Sequence, residues 1–91
     1  KLVFKITPED IFQIYKNQNG CCALTGAKLI CDSQNSGKIE WSVDRIDCNI
    51  GYTKENIQLV DGRLNMIKGK YTQQFFLEVC RAVAKHNKVK W

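Results

Sequence analysis

An α+β fold is the class this sequence predicts: a β-β-α centre, made of an antiparallel hairpin and a short helix, flanked by N-terminal and C-terminal helices. Three observations lead there. Ile39, Trp41 and Val43 alternate with polar residues, and so do Ile57 and Leu59, a period of two that belongs to strands. At Asp61-Gly62 the period changes toward that of a helix. Capping signals at Thr7 and Thr72 each precede a stretch with helical spacing.

The elements follow in order. Thr7-Pro8-Glu9-Asp10 joins a capping hydroxyl, a proline at the first helical position and acids at the positive end of the helix dipole. Ile11, Phe12, Ile14 and Tyr15 supply an apolar face and Asn19-Gly20 a stop, so a helix is expected over 8–18. In CCALTGAKLIC, Thr25-Gly26 sits between two short apolar runs, the pattern of a tight turn or small hairpin. DSQNSGK, residues 32–38, is the best candidate for a mobile loop. The two strands should pair as a hairpin with a long connection over 47–55, where Gly51 is free to take a positive φ. Leu64, Ile67 and Met66 read as the face of a short helix ending at Gly69, with Lys68 and Lys70 at its negative end. In the last helix Phe76, Val79, Cys80 and Val83 recur at i, i+3, i+4 and i+7, a stripe expected to dock on the core.

A chain of 91 residues makes one domain, 1–91, with its β-β-α core near 39–69. At this size only roughly 60–65% of the unfolded surface is buried on folding. The first residue is a lysine and no leader pattern follows, which reads as a domain excised from a longer chain. No apolar run reaches about 18 residues, so no membrane span and no membrane partner is expected. The net charge is +5. From Arg63 to Lys90, the seven bases Arg63, Lys68, Lys70, Arg81, Lys85, Lys88 and Lys90 face a single acid, Glu78, a balance suited to a polyanion. Five cysteines, Cys21, Cys22, Cys31, Cys48 and Cys80, form no even framework, which points to reduced thiols in an intracellular setting, cytoplasmic or nuclear. Without paired C-x2-C ligands a structural zinc is not expected, and Cys22 reads as a small core residue.

The run WSVDRIDCNIGYTKENIQLVDGRLNMIK, residues 41–68, resembles the HNH, or ββα-metal, endonuclease motif, and the upstream CCALTG is similar to the zinc-knuckle turn that often precedes it. The resemblance implies a ββα-metal core that hydrolyses phosphodiester bonds in DNA with a single divalent ion, Mg2+ or Mn2+. Carried over by position, Asp44 falls on the metal-binding aspartate and Asn65 on the second metal ligand. Asn56 falls on the asparagine that fastens the long loop, and Lys68 on a basic residue facing the nucleic-acid backbone. Arg45 stands where the family has its general-base histidine.

The residue types make chemical sense. Hydrolysis of a phosphodiester builds negative charge that a divalent Lewis acid stabilises, and such ions prefer oxygen donors, which a carboxylate and an amide carbonyl supply. Histidine suits the base because its pKa lies near neutrality, whereas arginine stays protonated and can only grip phosphate. Another group must then take the proton, and Asp47, three residues beyond Asp44, is the first candidate. Arg45, Arg63, Lys68 and Lys70 are the expected phosphate contacts. His86, among Lys85 and Lys88, reads as a solvated residue. A DNA-binding module on the same frame that cleaves weakly or not at all is the alternative, since losing the base while keeping a phosphate-gripping arginine would produce one.

Overall fold

The computed structural model of the protein describes residues 4–29 and 40–88. The loop expected over 32–38, and Cys31, Ile39 and Lys90, lie outside them. The described elements are β1 (Phe4–Lys5), α1 (Pro8–Asn17), β2 (Trp41–Arg45), β3 (Tyr52–Thr53), β4 (Ile57–Asp61), α2 (Gly62–Lys68) and α3 (Gln73–His86). The protein is a small α+β domain of three described helices and two small sheets.

Helix α1 begins with a reciprocal cap: the Thr7 hydroxyl accepts from the Asp10 N–H, and the Asp10 carboxylate accepts from the Thr7 N–H, both at 3.1 Å. Asn19 and Gly20 turn the chain out of it with φ of 56° and 71°. Ile11, Ile14 and Tyr15 pack on the core, but Phe12 is exposed, with the Lys16 ammonium over its ring. The knuckle that follows is closed by a bridge between Cys21 and Lys28 and turns through Gly26 at φ 78°. Cys22 is buried there beside Leu29, Leu59 and Val60, the small core residue expected of it. Burial pushes its thiol up, but hydrogen bonds from the Thr25 hydroxyl and from the N–H groups of Asp61, Thr25 and Leu24 outweigh this and leave it below the ordinary thiol value.

β2 and β4 pair antiparallel, with Trp41 opposite Asp61, Val43 opposite Leu59 and Asp44 opposite Gln58. Because side chains alternate, Trp41, Val43 and Leu59 share one face and Ser42, Asp44, Gln58 and Val60 the other. Helix α1 lies against Trp41 and Leu59, and α2 against the second face. Leu59 and Val60, neighbours that point opposite ways, are 1% and 0% exposed, so β4 is covered on both sides.

Three expectations are corrected here. The connection over 47–55 contains β3, which pairs in parallel with β1, the Phe4 and Tyr52 rings 5.2 Å apart; strands two residues long carry no readable periodicity. In α2, Met66 and Ile67 are exposed, and the face turned to the sheet carries Leu64, Asn65 and Lys68. In α3, only Phe76 of the apolar stripe is buried; Val79 and Val83 stay exposed. That helix is fastened at its start, where the Thr72 hydroxyl caps it and the Gln73 N–H donates to the Ile46 carbonyl. Beyond that point the stripe lines a groove of about 660 Å³ shared with Leu24, Leu64, Ile67 and Tyr71.

Candidate functional site

α2 starts at the residue after β4, with no linker, so the chain must fold back at once over the sheet. Asp61 ends the strand and caps the helix, its carboxylate accepting from the Arg63 N–H at 2.9 Å. Asn65 and Lys68, three apart, lie on the same side of α2 and both meet β2. The Asn65 amide donates to the Ser42 hydroxyl at 2.7 Å and to the Val43 carbonyl at 3.3 Å. Both bonds use Nδ2, so the carbonyl oxygen Oδ1 takes part in neither. Asp44 and Asn65 thus stand on one side of the hairpin, as the expected ion site requires.

Asp44, however, is held by Lys68. Its ammonium donates to both Asp44 carboxylate oxygens, at 3.0 and 2.8 Å, and to the Arg45 carbonyl at 2.6 Å. Asp44 is 3% exposed and Lys68 1%, which makes this a buried ion pair. All three ammonium hydrogens have acceptors, and Gln58 adds a third bond to the carboxylate at 3.0 Å. The expectation that Lys68 faces a nucleic-acid backbone is therefore corrected: its four-carbon stem carries the charge inward because its position on α2 faces β2.

Asn56 clamps the loop after β2. It is 7% exposed. Its Nδ2 donates to the carbonyls of Asp47, Ile50 and Gly51 at 3.0, 3.2 and 2.9 Å, while its Oδ1 accepts from the Asp47 N–H at 3.0 Å. Asp47 is held through its backbone, and its carboxylate caps the Asn49 N–H at 2.9 Å. Arg45, next to Asp44 in the strand, sends its side chain to the other face, where the guanidinium lies 5.1 Å from the centre of the Tyr52 ring. The fold thus brings Asp44, Asn65 and Lys68 together and leaves Arg45 and Asp47 outside that cluster.

The sequence reading missed two glutamines. Gln58 bridges Asp44 and Gln73, donating to the Gln73 side-chain oxygen at 2.6 Å, and so ties the site to the start of α3. Gln18 donates to the carbonyls of Cys21 and Leu59 and accepts from the Leu59 N–H, closing the outer edge of β4. The polar Gln58 between apolar Ile57 and Leu59 was the one available signal; Gln18 gave none. Arg63 and Lys70 are at the surface, and so is His86. The Arg63 guanidinium also pairs with Asp61 at 2.7 Å, and that hydrogen bond holds the Asp61 carboxyl below its usual value.

Among the described residues no group of three or more His, Cys, Asp or Glu side chains is placed to hold a metal ion. The four described cysteines, Cys21, Cys22, Cys48 and Cys80, are free thiols. For a magnesium-like ion the donor types fit, a carboxylate and an amide oxygen on one side of the hairpin. The carboxylate is nevertheless engaged by Lys68. No described helix is long and apolar enough to cross a membrane. Comparison of the chain with protein-family models, with curated proteins and with solved structures returns no match.

Proposed function

We propose that this chain is an HNH-type endonuclease domain that hydrolyses phosphodiester bonds in DNA with a divalent ion, Mg2+ or Mn2+. The observation that supports this most is the joint placement of Asp44 and Asn65 on one side of a hairpin-and-helix unit. Held by those two residues, the ion would supply Lewis acidity toward the scissile phosphate. The chain's own residues do the rest. Asn56 fixes the loop between β2 and β4, and with it the positions of Asp47 and of the Arg45 end of the strand. Arg45 remains protonated, so its part is a two-pronged hydrogen bond to a phosphate, with Tyr52 limiting where the guanidinium can stand. Asp47, whose carboxylate also caps the Asn49 N–H, is the candidate to take a proton from water. Arg63 and Lys70 add positive charge at the surface along which a DNA backbone would lie.

A second reading, a DNA-binding module that does not cut, is favoured by one observation, the Lys68 ammonium seated on the carboxylate that an ion would need. One experiment separates the two. The domain is incubated with supercoiled plasmid and Mg2+ or Mn2+, beside Asp44→Asn and Asn65→Ala variants whose folding is checked by circular dichroism. Metal-dependent nicking that both variants lose supports the enzyme. A gel shift that persists in EDTA, with no cutting, supports the binder. Neither nicking nor a shift would overturn both.

A further inference from the structure

We infer that Lys68 is a built-in competitor for the ion at Asp44: a divalent cation binds this domain only when the Lys68 ammonium leaves the carboxylate. The inference rests on the reading of Asp44 as an ion ligand, and deepens it. Three facts carry it. The ammonium contacts both carboxylate oxygens, so no oxygen of Asp44 faces open space, and its third donor is anchored on the Arg45 carbonyl. The pair is neutral as a unit and almost wholly buried, with side-chain exposures of 2% and 4%. A dication added beside it would meet a fixed positive charge in a weakly screened interior, whereas the same ion facing Asp44 alone would meet a net negative one.

Lys68 lies at a helix end, although its side chain is itself buried. It is the last residue of α2, followed by Gly69 at φ 55°, around which a Cβ would find its nearest neighbour 3.8 Å away. The backbone is uncrowded at Gly69, and the lysine stem is long and flexible. Outside the pair, the natural partner of a released ammonium is a phosphate, which would then leave Asp44 open on the side of the hairpin that also carries Asn65. Gln58 stays on the carboxylate in either state, as a neutral donor that keeps it oriented.

The test is Mn2+ binding, read from the loss of the free-ion electron paramagnetic resonance signal, for the natural chain, Lys68→Met and the double variant Asp44→Asn/Lys68→Met. The expected result is at least a tenfold tighter site in Lys68→Met than in the natural chain, lost again in the double variant. Equal affinity in the natural chain and Lys68→Met overturns the inference, and so does a gain that survives in the double variant, because the ion would then sit elsewhere. If Lys68→Met does not fold, the natural chain decides by nuclear magnetic resonance of the Lys68 ammonium during a Mg2+ titration. A signal that vanishes as the ion binds supports competition; an intact signal, whether beside an ion bound at Asp44 or with no ion bound at the highest Mg2+ concentration, refutes it. Plasmid cleavage is scored separately. Tighter Mn2+ binding without cleavage by any variant sinks the endonuclease proposal and leaves this one standing, and cleavage with unchanged Mn2+ affinity does the opposite.

Discussion

Removing the Asn56 side chain should cost this domain a large share of its stability. The amide makes four contacts between 2.9 and 3.2 Å, three from Nδ2 and one to Oδ1. Two amide hydrogens serve three carbonyls, so the side chain counts as about three full hydrogen bonds. At about 1 kcal/mol net each, Asn56→Ala should lose about 3 kcal/mol. A domain of 91 residues has about 5–14 kcal/mol in all. In urea, with a slope near 1.5 kcal/mol per molar, the midpoint should fall by about 2 M with the slope unchanged. Asn56→Asp is the sharper probe. It has the same shape and keeps the oxygen that accepts from Asp47, but it aims a carboxylate at three carbonyl oxygens. At neutral pH it should be at least as damaging as alanine. If the midpoint of Asn56→Ala moves by less than about 0.5 M, or Asn56→Asp is tolerated, the loop is held by its shape and not by this amide.

Gln18→Ala should lose about 2–3 kcal/mol, because it strands the N–H of Leu59, a residue only 1% exposed. The Leu59 amide should exchange hydrogen much faster in that variant, and unchanged exchange would show that β4 needs no cover at this edge. Asp61→Asn keeps a capping oxygen but removes the charge that Arg63 holds. Because the folded Asp61 carboxyl lies below its ordinary 3.8, the pair's contribution is present above about pH 4 and is lost as the pH falls through the folded value. The natural chain should therefore lose more stability than Asp61→Asn between pH 7 and pH 3, by a small and salt-sensitive margin at so exposed a pair. Equal losses in urea midpoint for the two chains would remove the charge from the account.

The local half of this fold was legible in advance. The caps at Thr7 and Thr72 depend on a hydroxyl a few residues from the N–H it serves, and they formed where the letters put them. The hairpin followed from a period of two, whereas the role expected of Asn56 came only from the family resemblance. Each of those signals is written within a dozen residues, so a single stretch of chain carries the whole interaction. The overestimated α3 stripe marks the limit: spacing tells which side of a helix is apolar, and says nothing about whether anything lies against it.

By itself, then, the sequence determined the order and approximate bounds of the main elements and the alternation that turns Asp44 away from Trp41 and Val43. Tertiary structure alone decided where the long polar side chains ended. Gln18 went to the edge of a strand 41 residues away, Gln58 to the start of α3, and Lys68 inward to a carboxylate 24 residues behind it. A lysine or glutamine satisfies its hydrogen bonds equally well in water, so its letter carries no preference for a partner. Only the close return of α2 over β2 made burial with Asp44 the better solution, and that return is a property of the packed chain.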